Sequence, residues 1–246
     1  TAEKIWHFIE PFARYGFNRS HAACYAMIAY QTAYLKVKYP AEFMTSLLNA
    51  ESGDTDRIAF LAEEAKKMGI EILPPDINQS GRDFSPDPSQ LVIRFGLNAV
   101  KNLGSNIVEA IISERGRNGP FQNVRDFLLR ITHKDLNKKS LESLIKCGAL
   151  DSLEVEKGTL LYNIEELLRF NNNSKRSLNN NQHSLFTKEQ NISPLRLKEA
   201  PAVPLKEKLA WEKELLGIFV SEHPLNGLEE KLKNFKVIPI KDIFSN

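Results

Sequence analysis

Apolar residues recur at helical spacing through residues 2–67, with breaks where turn-forming residues cluster. Over residues 2–10, Ile5, Phe8 and Ile9, followed by Phe12, share one face, and Pro11 is expected to disturb the end of that helix. After a turn at Tyr15-Gly16-Phe17, Asn18 or Ser20 can cap a second helix running to about Tyr39. Pro40 suits the first turn of a third helix over 40–52. Asp54 caps a fourth, whose buried stripe is Ile58, Leu61, Ala62 and Ala65, and Gly69 closes it.

The pattern then changes period. Residues 70–73 (IEIL) and 91–95 (LVIRF) predict short strands, separated by Pro-, Gly- and Asp-rich turns over 74–90. From 97 to 150 short helices return, punctuated by Gly104, Gly116, Gly119-Pro120 and Gly148, and a longer helix is predicted over roughly 158–170. Residues 171–181 (NNNSKRSLNNN) are polar and are expected not to bury enough surface to offset the entropy of ordering. A Pro-containing linker reaches about 204, a further helix covers KEKLAWEKELLG, and VIPI (237–240) predicts the start of a β domain. The expected fold is mainly α, with a small β element around 70–95 and a flexible tether near 171–204.

Composition narrows this only modestly. With 246 residues, 42% hydrophobic and 26% charged, the chain has room for one large or two small domains. Every apolar run is interrupted before it reaches membrane-spanning length. The chain opens at Thr1 inside a predicted helix, without an initiator Met or signal peptide, which suggests an excerpt from something longer. A net charge of +2 means that any nucleic-acid contact must come from local placement of Lys and Arg. Cys24 and Cys147 each sit in an apolar helical pattern and are expected to be buried thiols of a reducing compartment. His7, His21, His133, His183 and His223 show no metal-ligand spacing with them, so no metal site is expected.

Three constellations carry chemistry. The helix within 15–36 is apolar on nearly every side, which predicts a core position. Its N-terminal end collects Asn18, Arg19, Ser20 and His21, where free amides and the helix dipole meet an arginine. That is either a phosphate site or a capping box with a surface Arg, and caps are the commoner case.

Residues 95–116 read as two helices joined by a tight turn, a helix-hairpin-helix. It aims the amides of Gly104, Ser105 and Asn106 at a DNA phosphate, with Lys101 adding charge. Asn102 stands where such a hairpin has Gly, and Asn tolerates a left-handed backbone. The alternative is an αα-hairpin that only packs. A second hairpin, 135–151, follows at the distance expected of a tandem pair. Third, QHSLF (182–186) offers Gln182 as an amide and Leu185 with Phe186 as apolar anchors beside the polar stretch, the pattern of a docking peptide.

Catalytic signatures are missing: there is no phosphate-cradling Gly-rich loop, nucleophile elbow or metal-binding His pair. Asp54 and Asp56 form a D-x-D, the minimum for holding Mg²⁺, but at a predicted helix start they read as capping residues.

The order of these constellations resembles one family. YGFNRSHAACYAMIAYQTAYLKVKYPAEF closely resembles the fingers segment of bacterial DNA polymerase III alpha subunits, the C-family replicative polymerases. FGLNAVKNLGSNIVEAI, GPFQNVRDFLLRI and SLESLIKCGALD look like that family's tandem helix-hairpin-helix domain. QHSLF resembles its internal sliding-clamp-binding peptide, and ELLGIFVSEHPL the segment leading toward its oligonucleotide-binding domain.

The resemblance implies four parts: fingers over 1–95, tandem helix-hairpin-helix over 96–170, a linker with the clamp peptide over 171–204, and an approach to the oligonucleotide-binding domain over 205–246. It makes Asn18, Arg19, Ser20 and His21, with Gln31 and Lys36, candidates for dNTP or template contact. Lys101, Gly104, Ser105 and Asn106 become DNA contacts, and Gln182, Leu185 and Phe186 clamp anchors. The implied parent is a cytoplasmic DNA-directed DNA polymerase using two Mg²⁺ ions held by palm aspartates outside these residues, so this chain is expected to be inactive alone. Its implied partners are primer-template DNA, dNTP, the sliding clamp and other holoenzyme subunits. The competing readings are a non-enzymatic helix-hairpin-helix accessory of repair or recombination, and a protein-binding helical scaffold.

Overall fold

The computed structural model describes residues 1–13, 18–87, 89–179, 194–222 and 224–225. Four helices come first: α1 (Ala2–Ala13), α2 (Arg19–Lys38), α3 (Pro40–Ala50) and α4 (Thr55–Lys67). A small sheet follows, made of β1 (Glu71–Leu73), β2 (Ser85–Asp87) and β3 (Val92–Arg94). Then come α5 (Ser105–Asn118), α6 (Val124–Arg130), α7 (Lys138–Lys146), α8 (Lys157–Tyr162), α9 (Ile164–Asn179) and α10 (Leu205–Leu216). The mainly α fold with a small β element is as the hydrophobic pattern predicts. Tyr15-Gly16-Phe17, residues 182–186 and 237–240 lie outside the described residues.

Local signals set the early boundaries. Asn18 caps α2, its Oδ1 accepting from the Ser20 amide at 3.0 Å. Pro40 occupies the first turn of α3, where its missing N–H leaves no gap in the ladder. Asp54 caps α4 by accepting from the amides of Asp56 (2.9 Å) and Arg57 (3.1 Å). Gly69, at φ +76°, ends α4, and the Ile70 amide returns to the Ala65 carbonyl at 3.0 Å. Ile58, Leu61 and Ala65 form the buried stripe of α4, with Ala62 partly buried beside them.

Two expectations about the first helices fail. α1 runs through Pro11 to Ala13. α2 is not in a core: none of its residues is buried, and Tyr25, Met27, Ile28, Tyr30, Tyr34 and Leu35 are exposed. Its apolar residues encircle the helix rather than forming one stripe, and its main neighbour among the described elements is α3. Cys24 is exposed for the same reason, contrary to the expectation that both thiols are buried. Trp6 (64% exposed) and Phe8 (78%) show that α1 is equally uncovered.

In the sheet, β3 is central. It pairs parallel with β1, Glu71 opposite Val92 and Leu73 opposite Arg94, and antiparallel with β2, Ser85 opposite Arg94 and Asp87 opposite Val92. β2 was not expected, because Ser-Pro-Asp has poor strand propensity. Pro86 is tolerated there since β2 is an edge. Asn49 of α3 fixes that edge from a distance, donating to the Phe84 carbonyl at 3.0 Å and accepting from its amide at 2.8 Å.

One continuous core runs from Met44 and Leu48 on α3, through Phe95, Ile107, Ile111 and Phe127, to Leu215 and Leu216 on α10. Phe95 and Phe127 are fully buried, and truncating either to Ala would cost about 3–5 kcal/mol. Arg130 locks the turn between α5 and α6, contacting Glu114 and Asp126 at 3.0 Å each and the Gly119 carbonyl at 2.7 Å.

The expected single helix over 158–170 is two helices, divided at Asn163, and the second continues to Asn179. Residues 171–179 therefore do not belong to an unstructured tether. Their polar side chains find partners that composition does not reveal. Asn171, 0% exposed, donates to the carbonyls of Leu128 and Ile131, and Lys175 donates to that of His133 at 3.0 Å. Residues 194–204 are likewise held, through Asn163, Thr159 and Glu156.

Candidate nucleic-acid interface

The segment between the sheet and α5 folds as a hairpin. A single 3-10 turn (Leu97–Ala99) stands where a first helix was expected, followed by Val100-Lys101-Asn102-Leu103 and then α5. Asn102 sits at φ 69°, the left-handed conformation that the turn demands, and its Nδ2 donates to Ser143 Oγ at 3.3 Å. The turn thus survives without glycine.

At the start of α5, Gly104 is the N-cap and provides no side-chain cap. The first-turn amides of a helix have no intrahelical acceptors, so those of Ser105 and Asn106 point outward at the positive end of the helix dipole. Gly104, Ser105 and Asn106 are exposed, and a side chain at Gly104 would meet nothing within 4 Å. The surface is therefore open to an incoming anion. Lys101 is exposed beside it.

Hydrogen bonds add to this surface. Ser105 Oγ donates to Asn98 Oδ1 at 2.9 Å, and Asn106 Nδ2 donates to Asp135 Oδ2 at 3.2 Å. The second contact brings segment 134–139 alongside the N-terminus of α5. Lys134, Lys138 and Lys139 are exposed there, residues that sequence reasoning passed over although KDLNKK is a visible basic cluster. Lys138 is paired with Glu165 at 2.6 Å, which raises the lysine's pKa and lowers the carboxylate's. Lys101, Lys134 and Lys139 have no carboxylate partner among the described residues.

The second hairpin is built differently. α7 begins with a capping box between Asn137 and Ser140 and ends at Gly148, φ +86°. Its turn is closed, with the Ala149 amide bonded to the Leu144 carbonyl and the Asp151 amide to that of Gly148, each at 3.0 Å. Cys147, Ala149 and Leu150 are buried, and Lys157 reaches Asp151 across Gly148 at 3.2 Å. Burial drives the Cys147 thiol up to about 12, so it is neutral at ordinary pH. The tip of this hairpin packs, while that of the first faces solvent.

The candidates on α2 are spread out. Asn18 Oδ1 accepts from both the amide and the hydroxyl of Ser20, so those two side chains close on each other as a cap. Arg19 is exposed, and His21 stacks edge-on against Tyr25 at 4.4 Å. Gln31 and Lys36 lie about 18 and 25 Å further along the axis from Arg19, and the structure does not gather them into one site. Lys36 is half-buried and faces Glu64, whose pKa it lowers in support of Lys67. The Asp54 carboxylate is engaged as the cap of α4 by the amides of Asp56 and Arg57, and among the described residues no three His, Cys, Asp or Glu converge on a possible ion.

A family model for the helix-hairpin-helix motif matches residues 69–160, taking in the sheet and both hairpins. Over 243 residues, 97% of this chain, it is 40% identical to the DNA polymerase III subunit alpha of Borreliella burgdorferi strain B31, covering 21% of that protein. It is 42% identical over 233 residues to the same subunit of Neisseria meningitidis serogroup A, and 44% identical over 226 residues to that of Thermus aquaticus. These cover 94% and 91% of this chain, and 20% and 18% of the two relatives. The chain spans about a fifth of the length of the curated relatives it matches.

Proposed function

From its homology to a segment of bacterial DNA polymerase III alpha subunits, we propose that this chain is the part of such a polymerase that grips duplex DNA by its backbone. The observation that carries the reading is the open start of α5. There the amides of Ser105 and Asn106 have no side-chain cap, and Lys101, three residues before the N-cap, is exposed as they are. A phosphate bound there would accept from backbone N–H groups and gain from the helix dipole, with no base edge in reach. Lys134 and Lys139 extend the positive surface along the duplex.

In the same reading, Arg19 at the start of α2 meets the triphosphate or template, with Asn18, Ser20, His21, Gln31 and Lys36 on the same fingers helix. The exposed apolar surface of α1 and α2 fits elements of a longer polymerase packing onto them. Polymerisation itself, primer 3′-hydroxyl attack on a dNTP with two Mg²⁺ ions, is assigned to carboxylates outside this chain, so the isolated chain should not extend a primer. Residues 182–186, with Gln182, Leu185 and Phe186, are assigned to the sliding clamp. Other holoenzyme subunits would complete the assembly in the cytoplasm. No helix among the described residues is long and apolar enough to cross a membrane.

The experiment is an anisotropy titration of the chain with labelled duplexes of two unrelated sequences. The reading expects equal affinities that weaken together as salt rises. Strong preference for one sequence, or no duplex binding at low salt, would contradict it. A parallel titration with purified bacterial sliding clamp, with and without Leu185→Ala and Phe186→Ala, tests the clamp assignment separately.

A further inference from the structure

Segment 194–221 returns across the fold and is anchored along its length. Lys198 exchanges two hydrogen bonds with Asn163, at 2.8 and 3.0 Å. Glu156 holds the Val203 amide at 3.3 Å and the Lys208 ammonium at 3.1 Å. α10 then buries Leu209, Leu215 and Leu216, and packs against α7, where Lys146 Nζ stands 5.6 Å from the centre of the Trp211 ring.

The C-terminal end of α10 touches two other parts of the molecule. The Leu215 carbonyl accepts the backbone N–H of Lys101 at 3.0 Å, inside the hairpin turn. Two residues on, Gly217 adopts φ +78° against α4, so close that a Cβ there would lie 2.8 Å from the Thr55 carbonyl oxygen. Any other residue at 217 would be strained in backbone and blocked by α4. Glu212, only 3% exposed, closes the following turn by accepting from the amides of Val220 (2.8 Å) and Ser221 (3.2 Å).

This arrangement matters for the hairpin because amides aimed at solvent have nothing of their own to hold them. The Leu215 bond fixes the peptide plane before Lys101, and the Asn102–Ser143 contact fixes the next residue. The pre-organised turn then loses less freedom when it closes on a phosphate.

We propose that α10 is a positioning element for the first hairpin: Gly217 lets it seat on α4, and the Leu215 carbonyl holds the Lys101 turn in its phosphate-gripping geometry. The inference rests on the duplex-binding reading above. It makes Gly217, Trp211 and the Leu215 carbonyl determinants of DNA affinity although none of them belongs to the phosphate-facing surface.

The test compares the full chain with Gly217→Ala and with Trp211→Ala, which loosens α10 on α7 while leaving residue 217 intact. Gly53→Ala is the control, since a methyl there meets nothing within 4 Å. Two quantities are read: hydrogen exchange at the Lys101 amide beside that at the Ile111 and Ile112 amides inside α5, and affinity for a labelled duplex over a salt series. Faster exchange at Lys101 with Ile111 and Ile112 still protected is expected in both variants. Duplex affinity is expected to fall by about fivefold at an unchanged salt slope, because no phosphate contact is removed. Affinity within about twofold of the parent chain would overturn the proposal, whether or not Lys101 exchange rises. Absence of duplex binding by the parent chain would instead defeat the DNA reading, and this inference with it.

Discussion

The side-chain nitrogen of Asn171 lies 2.6 Å from the carbonyl oxygen of Leu128 and 2.8 Å from that of Ile131, closing the C-terminal end of α6 from far along the chain. Both carbonyls would be left without a donor if the amide were removed. Asn171→Leu, close in volume, is expected to destabilise the fold by about 2–4 kcal/mol, read as a shift in the denaturant midpoint. A change below about 0.5 kcal/mol would mean that the contact contributes little.

Asn102 at φ 69° defines a second expectation. Asn102→Gly should keep the hairpin turn and leave stability nearly unchanged. Asn102→Val should cost about 1–2 kcal/mol, because a β-branched residue is disfavoured in the left-handed region. Equal melting temperatures for the two variants would show that the turn relaxes to another conformation.

The thiols should react unequally. Cys24 is exposed on α2, and Cys147 is buried with its pKa pushed up to about 12. A maleimide is expected to label Cys24 in the folded chain and to reach Cys147 only after denaturation. Rapid labelling of both under native conditions would contradict the burial of the second hairpin.

Acid should loosen the turn between α5 and α6. Burial alone would raise the pKa of Glu114, but hydrogen bonds from Asn118 and Arg130, with the charge of Arg130, hold it below its ordinary 4.5. A depressed carboxylate stabilises the fold above its unfolded pKa and loses that contribution as pH falls through the folded value. The parent chain should therefore lose more stability than Glu114→Gln between about pH 5 and pH 3, followed by thermal melting. Parallel acid profiles would place the loss elsewhere.

What was legible in the sequence was local. Asn18, Pro40, Asp54 and Gly69 mark their boundaries through capping and turn chemistry that neighbouring residues decide. Asn102 as the left-handed residue of the hairpin was legible for the same reason, as was the exposed cluster at Lys101, Gly104, Ser105 and Asn106. What sequence hid depends on distant partners. β2 owes its place to β3 and Asn49, not to Ser-Pro-Asp itself. The polar half of α9 is ordered because Asn171 finds carbonyls on α6. The grip of Leu215 on Lys101 joins residues that no periodicity connects. α2 misled for the opposite reason: its composition is that of a core helix, and among the described residues little lies against it.

The salt dependence of duplex binding by the parent chain and by Lys101→Ala tests the phosphate grip at the start of α5 most directly. Each phosphate neutralised contributes a slope of about −0.9 to the logarithm of affinity against the logarithm of salt concentration. A steep negative slope is expected for the parent chain, reduced by roughly one in the variant, with the loss equal across duplex sequences. Identical slopes for the two proteins would remove Lys101 from the interface. A flat line for the parent chain would mean that the open end of α5 does not grip DNA.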